Sequence, residues 1–123
     1  MSDRALRLVH PSSGRVLVER LEVPGTSFGR GLGLMFRQDL PAGEGMWITP
    51  CNSIHMFFMR FAIDAVFLDK RLRVVRIYPG LRPWRVVPFV FRAHSVLELP
   101  AGAVDGLPLE RGEPLSIEPA PRP

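Results

Sequence analysis

The sequence predicts an all-β domain, a mostly antiparallel barrel or sandwich with one or two short helices. Three observations carry this expectation. The 13 Pro and 11 Gly fall between short apolar runs, which punctuates the chain into many brief elements. Several of those runs, among them Leu6–His10, Val74–Tyr78 and Ser95–Leu99, are rich in branched residues and alternate in part. The longest apolar run, Ile54–Leu68, would extend roughly 50 Å as a single strand, so the chain must turn inside it.

A length of 123 residues suits one domain with a real core. We expect a single β-rich domain over residues 1–118 and a frayed, Pro-rich tail over 119–123. With 46% hydrophobic and 23% charged residues, the composition is that of an ordinary globular protein and excludes a disordered chain. One cysteine cannot form an internal disulfide, and the opening MSDRALRLVHPSS has no apolar core of a signal peptide. Asn52, His55, Arg60 and Asp64 interrupt the one long apolar run, which argues against a membrane span. A cytoplasmic protein is therefore expected.

In chain order, Leu6–His10 and Arg15–Val23 flank the turn Pro11-Ser12-Ser13-Gly14 and read as a hairpin. Thr26 and Ser27 can cap a short helix carrying Phe28, Leu32, Met35 and Phe36, although Gly29, Gly31 and Gly33 each cost it about 1 kcal/mol. Met46–Thr49 is a strand closed by Pro50. Ile54–Met59 and Ala65–Leu68 are strands separated by a turn around Arg60–Ile63. Asp69-Lys70-Arg71 turns the chain into the strand Val74–Tyr78. Trp84–Val87 and Phe89–Phe91 are short apolar pieces split by Pro88. Ser95–Leu99 is a strand in which Glu98 faces away from Leu97 and Leu99. Ala103–Leu107 makes one helical turn, and Pro114–Glu118 is the last strand.

Several motifs stand in one register: Gly33-Leu34-Met35-Phe36-Arg37, Gly45-Met46, Phe57-Phe58-Met59-Arg60 with Ile63-Asp64, Val66-Phe67-Leu68-Asp69, Leu97-Glu98-Leu99-Pro100-Ala101-Gly102, and Gly112. In these the chain resembles the widespread prokaryotic domain of unknown function 192, over about residues 16–118. The resemblance implies a compact, mostly antiparallel β-domain with a small helix at the GLMFR segment. It implies no established activity, and it favours a break in the Ile54–Leu68 run after Met59.

The expected function is a small ligand- or partner-binding domain without established catalytic activity and without a cofactor. Arg60 and Asp64 are charges inside an otherwise apolar run, and together with Trp84 they are the expected lining of a pocket where polar groups meet aromatics. The bland alternative is a turn whose backbone amides are bonded by Asp64.

A second reading is a thiol- or metal-dependent hydrolase built on Cys51 and His55, with Met59 as a third soft ligand. Spacing argues against it: four residues span roughly 13 Å in a strand but about 6 Å on a helix. Core packing is the simpler account of all three. Gly29-Arg30-Gly31-Leu32-Gly33 looks like a phosphate loop but lacks the preceding strand and a following Gly-Lys-Ser/Thr.

A third reading rests on charge. Lys70–Leu97 holds seven cations and no acid, leaving nine cations against twelve acids for the rest. Arg73, Arg76, Arg82 and Arg85, interleaved with Tyr78, Trp84 and Phe89, are the raw materials of single-stranded nucleic-acid binding. Ordinary solvated arginines are its competitor. Phe89–Phe91, in a Pro-flanked loop, could form the contact of a homodimer. His10 and His94 have no companions at ligand spacing and read as structural or surface residues.

Overall fold

A computed structural model describes residues 5–24, 34, 37–107 and 109–121. Nine strands run along it: β1 (Leu6–His10), β2 (Arg15–Glu22), β3 (Glu44–Ile48), β4 (Ile54–His55), β5 (Ile63–Leu68), β6 (Val74–Leu81), β7 (Val86–Val87), β8 (Ser95–Pro100) and β9 (Ser116–Pro119). Seven form one sheet in the order β6-β5-β8-β3-β2-β1-β9, and β4 pairs with β7 as a separate ribbon. The β2–β3 pair is parallel and the other pairs are antiparallel.

The two edges of the large sheet curl toward each other. Arg73 bridges Pro114, the Val74 amide donates to the Glu113 carbonyl at 2.9 Å, and the Gly112 amide donates to the Val74 carbonyl at 2.7 Å. The Leu115 amide also donates to the Leu72 carbonyl at 3.0 Å, but among the described residues β6 and β9 do not pair as strands, so the form is sandwich-like and not a closed barrel.

The curl creates two cores, one on each face of the central strands. All six residues of β5 are buried, which is why that stretch is apolar throughout except for Asp64. Ile63, Ala65 and Phe67 face one core with Met46, Ile48, Met56, Met59 and Val96. Val66 and Leu68 face the other with Leu8, Val18, Leu97, Leu99 and Leu115. The β4–β7 ribbon lies over the first core, to which it contributes Ile54 and Val87.

Gly45 on β3 is the described glycine with the least room for a side chain. A Cβ there would meet Leu99 Cδ2 at 3.0 Å, the Glu98 carbonyl oxygen at 3.2 Å and Val18 Cγ2 at 3.3 Å. Gly45→Ala is expected to destabilise the fold by about 1–3 kcal/mol, read as a fall in the urea midpoint with an unchanged slope. An unchanged midpoint would show that β3 shifts freely.

Three expectations need correction. The expected strand Ile54–Met59 is a strand only at Ile54–His55. The Met56 carbonyl accepts the Met59 amide at 3.3 Å and Phe58 has φ 62°, so the chain already turns at Phe57–Phe58, ahead of the bend at Arg60–Phe61 that leads into β5. Aromatic composition suits an exposed turn as well as a strand, which is why the two could not be told apart. Ala103–Leu107 forms successive turns, with Asp105 bonded to Gly102 and Leu107 to Val104, and among the described residues there is no helix. The helix expected around Phe28–Phe36 and the glycine-rich Gly29–Gly33 lie outside the described residues, apart from Leu34, which is buried in the first core. The ladder also runs past residue 118: Leu6 pairs with Pro119, and the Ala120 amide donates to the Ala5 carbonyl at 2.8 Å.

Candidate ligand-binding face

The β4–β7 ribbon has an inner and an outer face because paired residues on adjacent strands project to the same side. Ile54 and Val87 pair and point into the core, whereas His55 and Val86 pair and point outward. Met56 ties the ribbon's ends together. Its amide donates to the Arg85 carbonyl and its carbonyl accepts the Trp84 amide, both at 2.7 Å.

These bonds present a row of rings to solvent. His55 stacks on Phe57 with centroids 4.9 Å apart, Phe57 lies 5.9 Å from Trp84, and Trp84 lies 5.0 Å from Phe58. Trp84 is 59% exposed, and Phe57, Phe58 and Val86 are exposed as well. Phe58 and Trp84, which face each other, both have left-handed backbone, φ 62° and 69°. Bulky residues rarely adopt that conformation, and it costs roughly 1–3 kcal/mol at each. The fold holds two large rings outward against that cost.

Arginines flank the rings. Arg76, Arg82 and Arg85 line an open groove of about 470 Å³ between β6 and β7, together with Leu81 and Val86. Arg60 is exposed just beyond the Phe57–Phe58 turn. Arg73 stands apart, at the bridge to Pro114. The structure thus gathers three of the four arginines expected for nucleic-acid contact.

It does not bring together Arg60, Asp64 and Trp84. Asp64 is fully buried and faces the second core, away from the ribbon. Its Oδ1 accepts the Gly80 amide at 2.8 Å, and its Oδ2 accepts the amides of Gly102 and Val104, each at 3.1 Å. Arg60 is in none of the ion pairs among the described residues. Asp64 does bond backbone amides, as the bland alternative held, but those of an irregular stretch of β6 and of the turn after β8.

Cys51, His55 and Met59 are likewise dispersed. The Cys51 thiol donates to the Ser53 carbonyl at 3.0 Å, His55 is on the exposed ring row with its Nδ1 accepting the Phe57 amide, and Met59 is in the core. No group of three or more His, Cys, Asp or Glu able to hold a metal occurs among the described residues. Cys51 instead shares a hollow of about 210 Å³ with His94.

The model of a family described as an uncharacterized ACR, DUF192, matches residues 8–117. The chain belongs to the DUF192 family. It is 34% identical to a UPF0127 protein of Thermococcus sibiricus over 116 residues, covering 90% of this chain and 74% of that one. A UPF0127 protein of Pyrococcus horikoshii is 38% identical over 89 residues, 68% of this chain and 75% of its own. The crystal structure of a protein of unknown function from Novosphingobium aromaticivorans superposes with a TM-score of 0.75 at 26% identity, covering 91% of this chain and 83% of that one. No catalytic function is established for these DUF192 relatives. No helix among the described residues is long and apolar enough to cross a membrane.

One residue of this DUF192 chain escaped the sequence reading. Glu98 on β8 does face away from Leu97 and Leu99, but the face it joins is covered too, opposite Met46 and Ala65. It is 6% exposed, and burial pushes its carboxyl up from 4.5 to about 7, against the opposing pull of the Arg37 charge. Alternation gave the correct side. That both sides are buried was readable only in the all-apolar neighbours that pair with it.

Proposed function

We propose that this chain is a binding module whose ligand is single-stranded nucleic acid, lying across the β4–β7 ribbon and the groove beside β6. The observation that carries the reading is one coincidence in space. The row Phe57, Trp84, Phe58 offers stacking surfaces, and Arg76, Arg82 and Arg85 line the adjacent groove. No acid occurs between Lys70 and Leu97 to oppose a phosphate backbone. Stacking is indifferent to sequence because every base has a flat face, so the binding is broad.

The same apolar face could pair with a second copy of the chain. Its arginines argue against that, because a two-fold contact would set like charges opposite one another without acids to separate them.

Anisotropy titration of a labelled 12-nucleotide single strand at two salt concentrations tests the reading. Binding is expected at low salt and weakens steeply as salt rises. Trp84→Ala is expected to weaken it about tenfold at either salt, as loss of one stacking platform does. Arg82→Ala is expected to flatten the salt slope by about one. No binding by the intact chain at low salt overturns the proposal, and a salt-dependent dimer without affinity for the strand would replace it.

A further inference from the structure

On the other side of Arg76 lies a second concavity, a cleft of about 560 Å³ between β6 and the segment 88–91. Its size falls within the roughly 300–1,000 Å³ of small-molecule sites. Arg76, Tyr78, Phe89, Phe91 and Arg111 line it, with Val90 at its floor.

Three features make this cleft a built site. The first is how its cations are held. The Arg76 guanidinium lies 5.1 Å from the centre of the Tyr78 ring, which fixes its direction. Arg111 sits in the turn closed by the Glu113 amide on the Glu110 carbonyl. That turn is tied to β6 by the Gly112 amide on the Val74 carbonyl. Two cations from segments far apart in the chain are thereby anchored at one cleft. Neither takes part in the ion pairs among the described residues.

The second feature is the rings. Val90 is buried, and its amide donates to the Asn52 carbonyl at 2.8 Å. This anchors the segment and forces its neighbours outward: Phe89 is 65% exposed and Phe91 68%. The third is how the rings are already engaged. Arg76 lies over Tyr78, and Arg92 lies over Phe91 at 5.5 Å. Among the described residues no cation lies over Phe89, whose ring contact is the edge-on one with Phe91 at 6.4 Å.

We infer that this cleft is a nucleotide-sized site, which holds a phosphate between Arg76 and Arg111 and a planar base against Phe89. Guanidinium forks suit phosphate because they donate two parallel hydrogen bonds to its oxygens. An exposed phenyl ring suits a base because every base presents a flat π-face that can stack on it. The site goes beyond the ribbon's proposed role, since a chain that failed to bind oligonucleotides could still take a mononucleotide here.

Calorimetric titration of the full chain with a nucleoside 5′-monophosphate, the parent nucleoside and inorganic phosphate tests it. The monophosphate is expected to bind at least tenfold more tightly than either fragment. Arg111→Ala is expected to abolish that advantage over the nucleoside, and Phe89→Ala the advantage over phosphate. Both residues are exposed, so the circular dichroism and melting of the variants should match the parent. Trp84→Ala is expected to leave the monophosphate affinity unchanged, which separates this site from the ribbon. Displacement of the monophosphate by a 5′-phosphorylated trinucleotide, but not by its unphosphorylated form, would assign the cleft to chain ends. Failure of both to displace it would assign the cleft to free nucleotides. A monophosphate that binds no better than phosphate, or an Arg111→Ala chain that binds like the parent, overturns the inference.

Discussion

Asp64→Ala is expected to remove about 3–5 kcal/mol of stability, a large share of the roughly 5–15 kcal/mol that holds an ordinary domain folded. The carboxylate accepts three backbone amides, from Gly80, Gly102 and Val104, inside a fully buried site. Removing it strands those donors, at about 1–3 kcal/mol for each that water cannot reach. Asn is nearly the same shape yet should rescue only in part. One of its two positions becomes an NH₂ group, which must face either Gly80 or the Gly102–Val104 pair, donor against donor. Urea denaturation of both variants is the check: Asp64→Asn should fall between the parent and Asp64→Ala. An Asp64→Asn chain with the parent's midpoint would mean that these bonds contribute little, and would return Asp64 to consideration as a ligand contact.

The second large effect is a dependence of stability on pH that one substitution should erase. Glu98 has its folded pKa raised from 4.5 to about 7, first by burial and in spite of the nearby Arg37 charge. A raised value means that the folded state holds the proton more tightly than the unfolded chain does. The stability this provides is complete below pH 4.5, declines as pH rises, and is gone above about 7. The change amounts to on the order of 3 kcal/mol. Glu98→Gln, which stays neutral, is therefore expected to match the parent at pH 4 and to exceed it by about that amount at pH 8. Melting curves across that range measure the difference, and other titrating groups cancel from it. A difference that stays constant with pH would mean that Glu98 titrates as an exposed carboxyl does.

Local pattern revealed most of the strands and little of their arrangement. β1 is where the alternation of Leu6–His10 puts it, and β8 extends the expected Ser95–Leu99 by one residue. The parallel contact of β2 with β3 had no local mark, because parallel pairing joins segments that no tight turn connects. The proposed binding face is legible only as ingredients: Trp84, Arg76, Arg82 and Arg85 stand out by type. What assembles them is the two-residue pairing of β4 with β7, too short for any periodicity to reveal. Asp64 is conspicuous in the sequence as a charge in an apolar run, but its partners lie 16, 38 and 40 residues further along the chain. Arg60 was the nearest cation in sequence. The fold instead satisfies the carboxylate with amides of β6 and of the turn after β8, because neutral donors avoid the cost of burying a second charge.

The pairing of β1 with β9 has a consequence for how the chain is made. Arg7 donates twice to Glu118, at 2.7 and 2.9 Å, across the ladder that joins the first strand to the last. During synthesis β1 leaves the ribosome more than a hundred residues ahead of its outer partner. Until Ser116–Pro119 follows, that side of β1 is a bare sheet edge open to any other extended chain. A message cut short before those codons would yield a protein with nearly all of its core and a sticky flank. Such a fragment is expected to accumulate as strand-exchanged oligomers.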